Sequence, residues 1–134
     1  MTLHLEDEEA LLGWAAEWGR DRRAGEIVLL EGPLGAGKTT FVRGVLRGIG
    51  YLGVVRSPTF NLLQVFPTDP PILHADLYRV ESWVGIGIEE YLESHLCFIE
   101  WPDRLQGLVD PETCYRVQIE FAETGRIVRT SAKL

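Results

Sequence analysis

Nine consecutive residues, Gly32-Pro33-Leu34-Gly35-Ala36-Gly37-Lys38-Thr39-Thr40, constrain this chain more than any other stretch. They fit G-x-x-x-x-G-K-[ST], the phosphate-binding P-loop, with Gly32, Gly37, Lys38 and Thr39 at its fixed places. The flanks suit the same reading. Glu26-Ile-Val-Leu-Leu-Glu31 is an apolar, β-branched run expected as a strand, and the residues from Thr40 to about Gly48 are expected as a helix. Glycines let the backbone turn its N–H groups inward on phosphate oxygens, and the helix N-terminus adds partial positive charge. Lys38 then reaches the β- and γ-phosphates, and the Thr39 hydroxyl is placed for Mg²⁺.

The chain has 134 residues, which suits one domain spanning 1–134 and leaves little room for lids. Net charge is −7, and the arginines are scattered. Direct binders of nucleic acid concentrate basic charge, so DNA is not an expected ligand, and any role near RNA is expected to run through a protein partner. No apolar run reaches the 18 or so residues of a membrane span, and the N-terminus is acidic. A cytoplasmic protein is expected. Cys97 and Cys114 have no metal-ligand spacing and are read as packing residues.

Residues 8–22 read as an amphipathic helix, with Leu11, Trp14, Ala15 and Trp18 on one face and Gly25 as its stop. Leu62 to Phe66 and Ile72 to Leu77 read as strands joined by a Pro-rich turn, hence an antiparallel pair. Residues 88–94 can make one or two helical turns, and Leu96 to Glu100 is a buried strand. Tyr115 to Phe121 and Arg126 to Ser131, split by Glu123-Thr-Gly125, carry a hairpin signal. The expected fold is α/β: a three-layer P-loop NTPase fold with a mixed central sheet and a C-terminal antiparallel hairpin.

A P-loop ATPase also needs an acidic metal ligand at the end of a neighbouring strand. Asp76 and Glu100 both qualify, and spacing does not choose between them. Ser57-Pro58-Thr59-Phe60 stands where the P-loop class keeps a switch loop, with Ser57 and Thr59 hydroxyls available to phosphate or metal. Taken alone, the stretch is better read as a turn entering a strand. His74, Asp76 and Tyr78 fall on one face of a strand by period two. Trp101 either caps the core or stacks on a ring.

The ordered set of P-loop, Ser57-Pro-Thr-Phe60, His74-x-Asp76-x-Tyr78-Arg79, Gly87-Ile-Glu-Glu-Tyr91 and Ile99-Glu-Trp-Pro102 resembles the bacterial threonylcarbamoyladenosine biosynthesis ATPase family, TsaE or YjeE. The resemblance runs from about residue 8 to 104. It implies a small ATPase that works with TsaB, TsaC and TsaD in installing threonylcarbamoyl on the adenosine beside the tRNA anticodon. It implies that the protein binds the TsaD–TsaB pair and meets tRNA only through that complex. It further implies that ATP lies on residues 32–40 with Ser57, Thr59 and Trp101, that Thr39 and Glu100 hold Mg²⁺, and that Lys38 and Asp76 serve hydrolysis. The family often carries Glu-Glu-Thr early in the first helix, where this chain has Glu8-Glu9-Ala10. A small-molecule P-loop kinase is the alternative, but Arg79 to Glu93 is short for a lid over the phosphates. A nucleotide-dependent binding module is the third reading, and no Asn-Lys-x-Asp guanine motif is present.

Overall fold

The computed structural model describes residues 1–58 and 61–131. Among the described residues, seven strands and two α-helices run in chain order: β1 (Thr2–Leu5), α1 (Glu8–Gly19), β2 (Ile27–Glu31), α2 (Lys38–Gly48), β3 (Leu63–Phe66), β4 (Ile72–Asp76), β5 (Leu96–Glu100), β6 (Tyr115–Phe121) and β7 (Arg126–Ser131). They form one seven-stranded sheet in the order β1-β7-β6-β2-β5-β4-β3. The P-loop strand β2 lies between β5 and β6 and is parallel to both. Covered on both faces, it needs an unbroken apolar run, which Ile27-Val-Leu-Leu30 supplies. β4 is parallel to β5, whereas the β3–β4 and β6–β7 pairs are antiparallel, so the sheet is mixed and both expected pairs form.

Alternation along the strands divides the core in two. Val28, Leu30, Phe98, Leu96, Val117 and Ile119 face the helices, where they meet Phe41, Val45 and Leu46 of α2 and Leu11 and Ala15 of α1. Leu29, Leu73, Ala75, Cys97 and Ile99 face the other way, against Leu77, Ile88, Leu105 and Cys114. That third layer is built from irregular chain and short 3₁₀ turns rather than α-helix. The turn expected at 88–94 is one of these, confined to Ile88–Glu90. Among the described residues no helix is long and apolar enough to cross a membrane.

Helix α1 starts where Asp7 accepts a hydrogen bond from the Ala10 amide at 2.8 Å, with Glu8 and Glu9 complementing the helix dipole. It ends at Gly19, short of the expected residue 22; Gly25 instead turns the connection into β2 at φ +88°. The sequence reading missed β1, which pairs with β7 from Thr2↔Arg129 to Leu5↔Arg126.

The two helices pack closely because Gly44 has no side chain. A Cβ there would lie 2.7 Å from the Leu12 carbonyl oxygen and 2.8 Å from the Ala15 Cβ. Gly44→Leu is therefore expected to cost about 3 kcal/mol, lowering the melting temperature by about 10 °C in a thermal scan.

Cys97 is fully buried in the sheet, and burial pushes its thiol up to about 12. The reactive species is the thiolate, so Cys97 should ignore a thiol reagent at pH 8 in the native protein and react once unfolded. The unfolded thiol ionises near 9, so its contribution to stability is full below that pH and is lost as pH rises from 9 towards about 12. An alkaline denaturation series of wild type against Cys97→Ala measures that term.

Candidate functional site

The ends of β2, β4 and β5 and the N-terminus of α2 converge on the P-loop. Gly37 precedes α2 at φ +121°, a conformation a side chain rarely adopts. Gly32 sits at φ +148°, where a Cβ would lie 2.2 Å from the Ile119 carbonyl oxygen. These two glycines are needed for local geometry, one to turn the loop and one to let it pass β6.

Lys38 is only 5% exposed. Its ammonium donates to the Gly32 carbonyl at 2.6 Å, stands 4.0 Å from Glu100 Oε1 and lies 4.2 Å from the centre of the Trp101 ring. Burial holds its pKa below the ordinary lysine value, and the carboxylates of Glu100 and Asp76 offset part of that shift. Glu100, 4% exposed at the end of β5, also takes hydrogen bonds on Oε2 from the Thr39 hydroxyl at 3.4 Å and from His74 Nε2 at 2.6 Å.

Asp76 stands directly across from Glu100 in the β4–β5 register. Its two oxygens are occupied differently: Oδ2 accepts from the Ser57 hydroxyl at 3.3 Å, and Oδ1 from the Tyr78 amide at 3.1 Å. His74 and Asp76 share the helix-facing side of β4, as period two requires. Tyr78 does not belong to that row, because the strand ends at Asp76 and Tyr78 lies in the following turn, its ring 4.8 Å from that of Trp101.

Leu34, Gly35, Gly37, Lys38, Thr39, Thr40, Ser57, Asp76 and Glu100 line one cavity of about 270 Å³. Gly32, Pro33, Lys38 and Trp101 border a second, of about 530 Å³, which shares Lys38 with the first. A third, of about 320 Å³, lies between Gly35, Ala36, Gly37 and Thr40 and the start of α1, Glu6 to Glu8 with Leu11. Ala10, early in α1, packs against the core. Thr59 and Phe60 lie outside the described residues.

Trp101 follows Glu100 in a left-handed conformation, φ +60°, that costs a bulky residue about 1 kcal/mol or more. Its ring spans Lys38 and Tyr78 and, partly buried, packs against the core beneath the sheet. One participant had no sequence signal. Arg126, at the start of β7, donates from Nε to the Ala36 carbonyl at 2.7 Å and braces the P-loop from the C-terminal hairpin.

The donor set suits a small hard cation. Adjacent oxygens of an octahedral Mg²⁺ site lie about 3 Å apart, close to the Thr39–Glu100 spacing of 3.4 Å. Among the described residues no group of three or more His, Cys, Asp or Glu could hold a metal.

The family model for the threonylcarbamoyl adenosine biosynthesis protein TsaE matches residues 5–130. The chain belongs to the TsaE family. It is 34% identical to the tRNA threonylcarbamoyladenosine biosynthesis protein TsaE of Haemophilus influenzae, covering 99% of this chain and 90% of that one. It is 38% identical to the protein of the same description from Treponema pallidum, covering 84% and 85%. The crystal structure of Bacillus subtilis YdiB superposes with a TM-score of 0.85 at 25% identity, over 100% of this chain and 86% of that one. The mixed α/β fold expected from the P-loop and its flanking runs is thus shared with a solved structure.

Proposed function

We propose that the protein, a single domain over residues 1–134, is the ATP-binding and ATP-hydrolysing component of the machinery that forms threonylcarbamoyladenosine in tRNA. In this reading it acts in the cytoplasm on a TsaD–TsaB pair, with TsaC in the same pathway, and meets tRNA only through that complex. The observation that carries it is the meeting of Lys38, Thr39, Ser57, Asp76 and Glu100 around one cavity at the N-terminus of α2.

The loop from Gly32 to Thr40 wraps the phosphate chain, its backbone N–H groups other than at Pro33 donating to phosphate oxygens, and Lys38 leaves the Gly32 carbonyl to bridge the β- and γ-phosphates. Thr39 and Glu100 would hold Mg²⁺, which neutralises charge on the phosphate oxygens. Asp76 orients the attacking water, and Ser57, hydrogen-bonded to it, couples the switch segment with Thr59 to the γ-phosphate end. Trp101 completes the ATP site through its contact with Lys38.

The kinase alternative loses its lid. Ile88 is fully buried, and Trp83 packs with it beneath the sheet, on the face away from α2. The segment a kinase would fold over the phosphates is instead part of the third layer.

ATP turnover by the pure protein, alone and with the TsaD–TsaB pair, tests the reading. Intrinsic turnover of P-loop switches can be as slow as about 10⁻⁴ s⁻¹, so a low basal rate is expected, rising on addition of the pair and vanishing in Lys38→Ala. A rate that stays flat with the pair present would refute the partner-coupled function and leave a nucleotide binder.

A further inference from the structure

His74 is fully buried, and nothing in the proposed ATPase chemistry uses it. Phe98 stands across from it on β5, Gln64 on β3, and Ile72 precedes it on the same face. Among the described residues, its one polar contact is the 2.6 Å bond from Nε2 to Glu100 Oε2, and its buried Nδ1 has no hydrogen-bond partner. A carboxylate only accepts, so Nε2 carries the hydrogen. The neutral tautomer then leaves a lone pair, and not an orphaned N–H, at Nδ1. A histidine kept only to fill the core has no need of this position, where half of its hydrogen-bonding capacity is unmet.

Glu100 faces two competing demands. Its Oε1 lies 4.0 Å from the Lys38 ammonium, and its Oε2 lies 3.4 Å from the Thr39 hydroxyl. A carboxylate at liberty would close on the ammonium, taking Lys38 from phosphate and Glu100 from metal at once. His74, diagonal to Glu100 across the β4–β5 pair, holds Oε2 on the Thr39 side. Histidine–carboxylate partners behind a ligand commonly fix its orientation in this way, with effects of about 10- to 100-fold on metal affinity.

We propose that His74 is a positioning residue, which orients Glu100 as a divalent-cation ligand and keeps it from collapsing onto Lys38. The inference rests on the proposed role of Glu100 in holding Mg²⁺.

Its test uses two amides of different reach. In His74→Gln the side-chain nitrogen takes the place of Nε2 and can still donate to Glu100, whereas in His74→Asn it falls short. A fluorescent ATP analogue is bound to each full-length protein, first in EDTA and then across a Mg²⁺ titration, with thermal melts in parallel. His74→Asn is expected to raise the half-saturating Mg²⁺ about 10-fold or more while nucleotide affinity in EDTA stays within about two-fold of wild type. His74→Gln is expected to return the Mg²⁺ midpoint to within about three-fold of wild type.

Equal Mg²⁺ midpoints in the Asn and Gln variants would overturn the inference. So would a loss of nucleotide affinity in His74→Asn that is the same with and without Mg²⁺, since that is what a packing role produces. A wild-type protein that binds the analogue with no response to Mg²⁺ would overturn the role of Glu100 itself, and the inference with it.

Discussion

Replacing Lys38 by methionine weakens ATP binding about 100-fold or more, measured by calorimetric titration, with little change in the melting temperature. The direction follows from where the ammonium already is. It is buried, donates to the Gly32 carbonyl at 2.6 Å and is depressed in pKa by that burial. Much of its desolvation is therefore spent on folding, and phosphate oxygens offer a better acceptor than a neutral carbonyl. Charge-assisted hydrogen bonds are worth about 1.5–3 kcal/mol each, and two such bonds to a polyphosphate amount to about 3 kcal/mol, or more than 100-fold. Methionine keeps the length of the stem while removing the ammonium that donates to Gly32 and lies over the Trp101 ring; alanine serves as the second variant. Unchanged affinity in both would remove the P-loop from the phosphate site.

The second large effect separates Glu100 from Asp76. Glu100→Gln is expected to raise the Mg²⁺ needed for half-maximal hydrolysis by about 10-fold or more, because it removes the charged oxygen beside Thr39. Asp76→Asn is expected to lower turnover about 100-fold at saturating Mg²⁺ with the metal midpoint nearly kept, the size of effect seen when a group positioning a reacting proton is lost. The contacts motivate the split: Glu100 is tied to Thr39, Lys38 and His74, whereas Asp76 is tied to Ser57 and the Tyr78 amide. Steady-state rates across a Mg²⁺ series for both variants decide it, and the reverse order would move the metal ligand to Asp76.

Much of the architecture was legible in residue order. The P-loop with its strand and helix, the β3–β4 pair and the C-terminal hairpin all depend on short-range signals: glycine spacing, alternation and turn residues. Errors fell where a local pattern outran its element. The first helix stops at Gly19, and the period-two row on β4 stops at Asp76, leaving Tyr78 in a turn. Strand β1 was missed because four residues make a weak alternating pattern; it exists because the edge of β7 offers a ladder to complete.

The sequence by itself determined that this chain carries the G-x-x-x-x-G-K-[ST] pattern between a strand and a helix, that its strands form a mixed sheet, and that two acids, Asp76 and Glu100, stand at the ends of strands. Only the tertiary structure decided that Glu100 lies beside Thr39 with His74 behind it, that Arg126 reaches the P-loop from the far end of the chain, and that Ile88 of the segment after Arg79 is buried beneath the sheet. The reason is physical. Loop and strand chemistry is set by neighbours along the chain, whereas the site depends on which strands lie side by side, and that order follows from burying two apolar faces of one sheet at once.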